Sequence, residues 1–302
     1  MRITHIGSVL FEDPPWVLVR VYTDTGLVEV GEAYHGAGVH QIAVDRRMTA
    51  ALLGRDPRNV ERLARDMGTA MSASGFFQGA VMSAISGLEM ALWDLAGQAA
   101  GVLIWQLFGG RVRERVPLYA TGHNRTEETR HAYAARAVEL QECGLRGIKI
   151  SVHPRASDVT PLELSQAVQA SLEADTWLAV DAHGAYSGPD AARLAASLAD
   201  LGLQWLEDPL PPQNIDAMRA LTHTSPIPVG TGIRIYSQHA AARVEPAALS
   251  IDGVEPEGRF QIQVRDLVRE MGDGYSSDLW SAGHGSPLRT EVVPTAMRIA
   301  YG

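Results

Sequence analysis

Two carboxylates close consecutive apolar runs in the second half of the chain. Asp181 ends Trp177-Leu178-Ala179-Val180-Asp181 and is followed by Ala182-His183-Gly184. Glu207 ends Gln204-Trp205-Leu206-Glu207 and is followed by Asp208-Pro209-Leu210-Pro211-Pro212. At the ends of neighbouring parallel strands, two such acids would raise each other's proton affinity. A hard divalent cation relieves that repulsion, and Mg²⁺ commonly takes a few carboxylates together with water and substrate. On these residues alone, an equal alternative is that each acid caps the next helix or pairs with an arginine. His183 lies two residues past Asp181, so strand alternation turns both side chains to one side. Beside a metal it would give or take a proton near neutral pH; otherwise it is a loop histidine bonded to backbone. His284, in Gly283-His284-Gly285-Ser286-Pro287, has the same two readings. Lys149 is the only lysine in a chain with 26 lysines and arginines. It is either a solvated strand-end lysine or an ammonium that neutralises a developing anion.

The elements that must hold these residues repeat. Apolar runs at 116–120, 147–151, 177–181, 203–207, 227–231, 249–252 and 278–282 alternate with amphipathic stretches at 128–143, 161–174, 189–201 and 214–223. Steps of 32, 26 and 26 residues separate Lys149, Asp181, Glu207 and Ile233. That rhythm predicts βα units with parallel strands. Polar residues at successive strand ends favour a (β/α) barrel, where all strand ends share one mouth. No glycine-rich phosphate loop follows the first strand, which disfavours a nucleotide-binding open sheet.

The first part of the chain reads differently. Alternating apolar residues around 3–10, 17–22 and 27–32, with Asp24-Thr25-Gly26 between the last two, predict a β-meander. Helical spacing follows from about 39 to 110, and Ile85, Leu88, Leu92, Trp93 and Leu95 mark one strong helix ended by Gly109-Gly110. An α+β domain over 1–115 and a barrel domain over 116–302 are therefore expected. The formal charge of −9 disfavours nucleic acid as a partner. The lone Cys143 excludes an intrachain disulfide and a Cys-based zinc site. With no signal peptide and no run long enough to span a bilayer, a soluble cytoplasmic protein with no membrane partner is expected.

These residues carry a resemblance. The chain resembles the enolase superfamily in its mandelate racemase-like group, and within it the sugar-acid dehydratases of galactonate and mannonate type. The matching text is 86–97 (Ser86-Gly87-Leu88-Glu89-Met90-Ala91-Leu92-Trp93-Asp94-Leu95-Ala96-Gly97), Leu107-Phe108-Gly109-Gly110, Gly147-Ile148-Lys149-Ile150, Asp181-Ala182-His183, 205–212 from Trp205 to Pro212, and His284-Gly285-Ser286-Pro287-Leu288. The resemblance implies an α+β capping domain over a modified barrel, and cations that stabilise an enediolate formed by removing the proton α to a carboxylate. It assigns Asp181 and Glu207 as Mg²⁺ ligands, His183 as general acid and His284 as base. Lys149 takes the first position of a Lys-x-Lys pattern whose second is Ser151, which argues against a two-base racemase. The implied substrate is an acid sugar and the implied assembly a homo-oligomer. Cap segments near 12–16 and 34–39 are candidates for specificity.

Three departures accompany the match. The fifth-strand position that normally carries a third carboxylate ligand holds Ile233, with Arg234 beside it. The acid expected to orient His284 is Glu257 by local alignment, with Asp252 and Glu255 as alternatives. The region 116–302 is shorter than the roughly 250 residues of a typical complete barrel, so about seven βα units are expected. Three functions fit: a working Mg²⁺-dependent sugar-acid dehydratase, a catalytically degenerate relative, or a non-catalytic binding protein for small acids.

Overall fold

A computed structural model describes residues 1–11, 16–33, 37–72, 79–111, 114–121, 129–153, 159–233 and 235–236. They fall into two compact units that divide between Val116 and Pro117.

The N-terminal unit opens with three antiparallel strands in sequence order, β1 (Ile3–Leu10), β2 (Val17–Thr23) and β3 (Val28–Ala33). Alternation explains β2: Val17, Val19 and Val21 are fully buried, while Arg20 between them is exposed. The Asp24-Thr25-Gly26 turn closes with Gly26 at φ 84° and the Thr23 hydroxyl donating to the Leu27 carbonyl at 2.9 Å. Helices α1 (Ala37–Ala43), α2 (Arg46–Ala50), α3 (Val60–Ser72), α4 (Ala80–Ala100) and α5 (Ile104–Leu107) follow. The long α4 buries Leu88, Ala91, Leu92 and Leu95. It lies directly on β3: a Cβ added to Gly31 would stand 1.8 Å from the Gly87 carbonyl oxygen. Glycine is needed there for close approach, not for its φ.

The strong helix does not run to Gly109-Gly110 as its apolar pattern predicts. It ends at Ala100, where Gly101 adopts φ 68° and the Val102 N–H reaches back to the Gly97 carbonyl at 3.0 Å. That six-to-one bond closes the helix before the apolar spacing runs out. Gly109 and Gly110, at φ 102° and 103°, lie just past the short α5 instead.

The C-terminal unit alternates α6 (Arg130–Glu142), β4 (Gly147–Ser151), α7 (Pro161–Gln169), β5 (Trp177–Asp181), α8 (Gly188–Ser197), β6 (Leu206–Glu207), α9 (Ile215–Thr224) and β7 (Val229–Gly230). Local chemistry starts each helix. Thr129, Thr160, Ser187 and Asn214 cap the N-termini of α6 to α9, Thr160 in a reciprocal box with Glu163. The four strands are parallel and ordered as in the sequence, β4-β5-β6-β7. A doubly wound sheet would reverse its strand order; among the described strands none does.

The expected run at 116–120 contributes one bridge, Ala120 to Ile148. The runs at 203–207 and 227–231 shrink to two-residue strands. Their ladder still reaches further: Gln204 N–H donates to Leu178 and Leu206 N–H to Pro228, both at 2.8 Å. Pro228 has no N–H to return, which shortens β7. The runs at 249–252 and 278–282 lie outside the described residues.

Period-two alternation gives this sheet two faces. Ile148, Ile150, Leu178, Val180, Leu206 and Val229 belong to one buried core with helix residues such as Leu140, Val168, Leu194 and Met218. Each such side chain, fully buried, is worth about 1.5–3 kcal/mol. The opposite parity carries Lys149 and Ser151 on β4, Trp177 and Asp181 on β5, and Trp205 with Glu207 at β6.

Candidate active site

Strand register brings the candidate residues together. Ser151 pairs with Asp181 and Asp181 with Glu207 across β4, β5 and β6, so the side chains of one parity converge where the three strands end. The Lys149 ammonium donates to Glu207 Oε1 at 2.6 Å and contacts Asp181 Oδ2 at 3.1 Å. Lys149 is buried, as is Asp181, so the solvated strand-end alternative is excluded. Burial is the largest influence on Lys149 and lowers its proton affinity. The Glu207 and Asp181 carboxylates outweigh it together and hold the lysine pKa above its ordinary value.

The remaining carboxylate oxygens are also engaged. Trp205 Nε1–H donates to Glu207 Oε2 at 2.9 Å. The His183 backbone N–H donates to Asp181 Oδ1 at 3.0 Å, and His183 Nδ1 lies 3.3 Å from the same oxygen. His183 Nε2 is 2.9 Å from the Ser151 hydroxyl. His183 is thus tied at both ring nitrogens, Asp181 on one side and Ser151 on the other. Its backbone sits at φ 50°, a left-handed conformation that costs a non-glycine residue about 1–2 kcal/mol.

Asp208, directly after Glu207, is the other non-glycine residue at positive φ, 40°. It is buried and accepts the Thr231 hydroxyl at 2.6 Å. Backbone bonds carry the ladder past the strand ends: Ala182 N–H to the Glu207 carbonyl at 2.9 Å and Tyr186 N–H to Pro209 at 3.2 Å. The two residues at positive φ are therefore held by bonds between neighbouring loops.

Three aromatic rings lie on the same parity. Tyr119, Trp177 and Trp205 sit with centroids 5.1–5.6 Å apart. Burial raises the Tyr119 pKa, opposed by the Lys149 charge. Sequence reading missed Trp205, although its place two residues before Glu207 fixes it on the same side. A cavity of about 870 Å³ adjoins the site, lined by His153, His183, Tyr186, Asp190 and Arg193 among others. His153, which the sequence reading did not single out, lines this cavity. His284, Arg234, Asp252, Glu255 and Glu257 lie outside the described residues. Ile233, three residues past β7, is 59% exposed and apolar.

Among the described residues no group of three or more His, Cys, Asp or Glu side chains is arranged to hold a metal ion. Two carboxylates are present, and a positive charge already lies against both of them. Asp181 and Glu207 are thus the carboxylates at these strand ends that could offer oxygen ligands, and the ammonium engages both.

Sequence comparison gives this geometry a family. Residues 4–109 match the mandelate racemase/muconate lactonizing enzyme N-terminal domain, and residues 132–256 match the enolase C-terminal domain-like family. The D-xylonate dehydratase of Haloferax volcanii is 36% identical over 99% of this chain and 78% of its own length. The chain belongs to the enolase superfamily. Its place is the mandelate racemase/muconate lactonizing group, with an N-terminal capping domain and an enolase-type barrel. A D-galactonate dehydratase of Verminephrobacter eiseniae is 31% identical over 100% of this chain and 79% of its own. Among solved structures, a mandelate racemase/muconate lactonizing enzyme-like protein from Rubrobacter xylanophilus superposes with a TM-score of 0.72 at 32% identity. It covers 80% of this chain and 69% of that one. A racemase from Streptomyces coelicolor with bound magnesium gives a TM-score of 0.72 at 25% identity, over 81% and 73% of the two chains. Among the described residues no helix is long and apolar enough to cross a membrane.

Proposed function

We propose that this enolase-superfamily protein is a Mg²⁺-dependent dehydratase of sugar acids. The observation that carries the reading is the convergence of Lys149, Asp181, Glu207 and His183 at three adjacent strand ends. Support comes from the names of its relatives, two of them dehydratases of D-xylonate and D-galactonate.

In this reading Asp181 and Glu207 would hold the cation, which would supply charge stabilisation for a developing enediolate. Lys149 binds the substrate carboxylate and adds fixed positive charge where negative charge grows. His284 takes the proton α to the carboxylate. The electron pair left behind forms the Cα–Cβ double bond as the β-hydroxyl departs, and His183 donates the proton that releases it as water. The enol then takes up a proton to give the 2-keto-3-deoxy acid. Ser151 and Asp181 fix the ring of His183 for that donation. The cavity beside His183 offers a phenol, a carboxylate and a guanidinium, donors and acceptors suited to a polyhydroxylated chain. The substrate partner is a small acid, and a homo-oligomer is the expected assembly.

A second reading is a degenerate relative or a binding protein that holds small acids without turning them over. Ile233, apolar at the position of a third ligand, favours it. Calorimetric titration with Mg²⁺, followed by incubation with D-xylonate and D-galactonate, separates the two. The first reading expects metal binding at or below millimolar Mg²⁺ and a 2-keto-3-deoxy product. Acid binding without product establishes the second.

A further inference from the structure

Among the described residues, His183 and Asp208 are the two non-glycine residues at positive φ, and they are joined to each other. The Gly184 N–H, next after His183, donates to the Asp208 carbonyl at 2.6 Å. Asp208 is pinned in turn to the end of β7. Its N–H donates to the Gly230 carbonyl at 2.8 Å, and its carboxylate accepts the Thr231 hydroxyl at 2.6 Å. A continuous path, Thr231 to Asp208 to Gly184 to His183, thus crosses the ends of β7, β6 and β5. Asp208 is only 5% exposed, where an apolar side chain would cost less than a carboxylate. Packing alone does not account for an acid there.

We propose that Asp208 is a positioning residue for His183: anchored by Thr231, it presents the carbonyl that holds the left-handed turn at His183-Gly184 and so sets where the imidazole stands. Its catalytic consequence rests on the proposed function, in which His183 donates the proton; the geometry itself involves no metal. The ring of His183 meets Asp181 Oδ1 at 3.3 Å and the Ser151 hydroxyl at 2.9 Å. Those contacts depend on the backbone, because φ decides where Cβ starts. A return from φ 50° to an ordinary negative φ would swing Cβ and carry the ring away from Ser151. Relief of strain favours that return by about 1–2 kcal/mol, so a group outside residue 183 must oppose it. The Asp208 carbonyl does so through Gly184. Thr231 secures Asp208, at φ 40°, against the same tendency.

Thr231 gives a test that changes no charge. Thr231→Val removes the hydroxyl and nearly keeps the shape, whereas Thr231→Ser keeps the hydroxyl. Protein labelled with ¹⁵N at histidine is compared at one fixed alkaline pH, where the rings are neutral. The His183 ring signals are those missing in His183→Ala. In Thr231→Val they are expected to move toward their position in Ser151→Ala, the signature of a ring that has lost Ser151. Thr231→Ser should match wild type, and Asp208→Ala should move them further. On a sugar acid, kcat of Thr231→Val is expected to fall roughly tenfold with KM little changed. His183 signals that stay put in Thr231→Val overturn the inference, even if Asp208→Ala fails to fold. Signals that move as far in Thr231→Ser as in Thr231→Val overturn it too. If they move as expected but wild type turns over no sugar acid, the positioning stands and the dehydratase reading falls.

Discussion

The two units bury carboxylates in opposite ways. In the N-terminal unit, Glu29 on β3 and Asp94 on α4 are both buried, and Gln98 one turn on donates to Glu29. Among the described residues one Asp94 oxygen, Oδ2, has no hydrogen-bond partner. Burial first, then the neighbouring Asp94 carboxyl, push Glu29 up to about 8. That pair is quieted by a proton. In the C-terminal unit, Asp181 and Glu207 are quieted by an ammonium, with a tryptophan and a backbone N–H on the oxygens left over. A proton shared between acids makes a closed structural contact. The ammonium instead reaches both acids from a neighbouring strand.

The strongest way to break this contrast is to remove the cation. Lys149→Met leaves two carboxylates without their counter-ion, so the metal-free variant should lose about 3–5 kcal/mol of stability by urea denaturation. Millimolar Mg²⁺ should restore part of it. A variant as stable as wild type without metal would mean the ammonium is not needed there.

The proton-quieted pair predicts the converse. Unfolded, Glu29 titrates near its ordinary 4.5; folded, it keeps its proton to about 8. Between those values the folded chain holds more protons, so stability falls as pH rises from about 4.5 to about 8 and levels off above. Glu29→Gln should flatten that part of the pH–stability curve and raise the Tm at pH 9. An unchanged slope would remove Glu29 from the account.

Between these in kind but smaller in size is Trp205. Trp205→Phe keeps the ring but loses the donor to Glu207 Oε2, and should weaken Mg²⁺ binding several-fold, the cost of about 1 kcal/mol for one hydrogen bond. The smallest effect is expected at Ser151. Ser151→Ala should lower kcat on a sugar acid with little change in KM, because its hydroxyl orients His183 and need not hold substrate. A rise in KM alone would place Ser151 on the substrate.

Much of this was legible in the sequence, for identifiable reasons. Parallel strands covered by helices read as short apolar runs, so β4 and β5 are found with the bounds expected of them. Side chains with strand-end positions and period two, Lys149, Asp181 and Glu207, share one face by necessity. What sequence did not show is which group meets which. Lys149 and Glu207 are 58 residues apart, and only the sheet register makes them partners. Trp205 was passed over because an apolar-looking residue in an apolar run reads as core, whereas its N–H holds Glu207. The end of α4 was misplaced because Gly101 stops the helix through φ, which apolar spacing does not encode.

The account turns on whether the cluster of Lys149, Asp181, Glu207 and His183 serves dehydration. Purified protein incubated with D-xylonate or D-galactonate, with and without Mg²⁺, should yield the corresponding 2-keto-3-deoxy acid, seen by mass spectrometry as loss of one water. Product should depend on Mg²⁺ and vanish in His183→Ala. Acids that bind in the presence of Mg²⁺ yet return unchanged would contradict the account and leave a binding protein on an enzyme's scaffold.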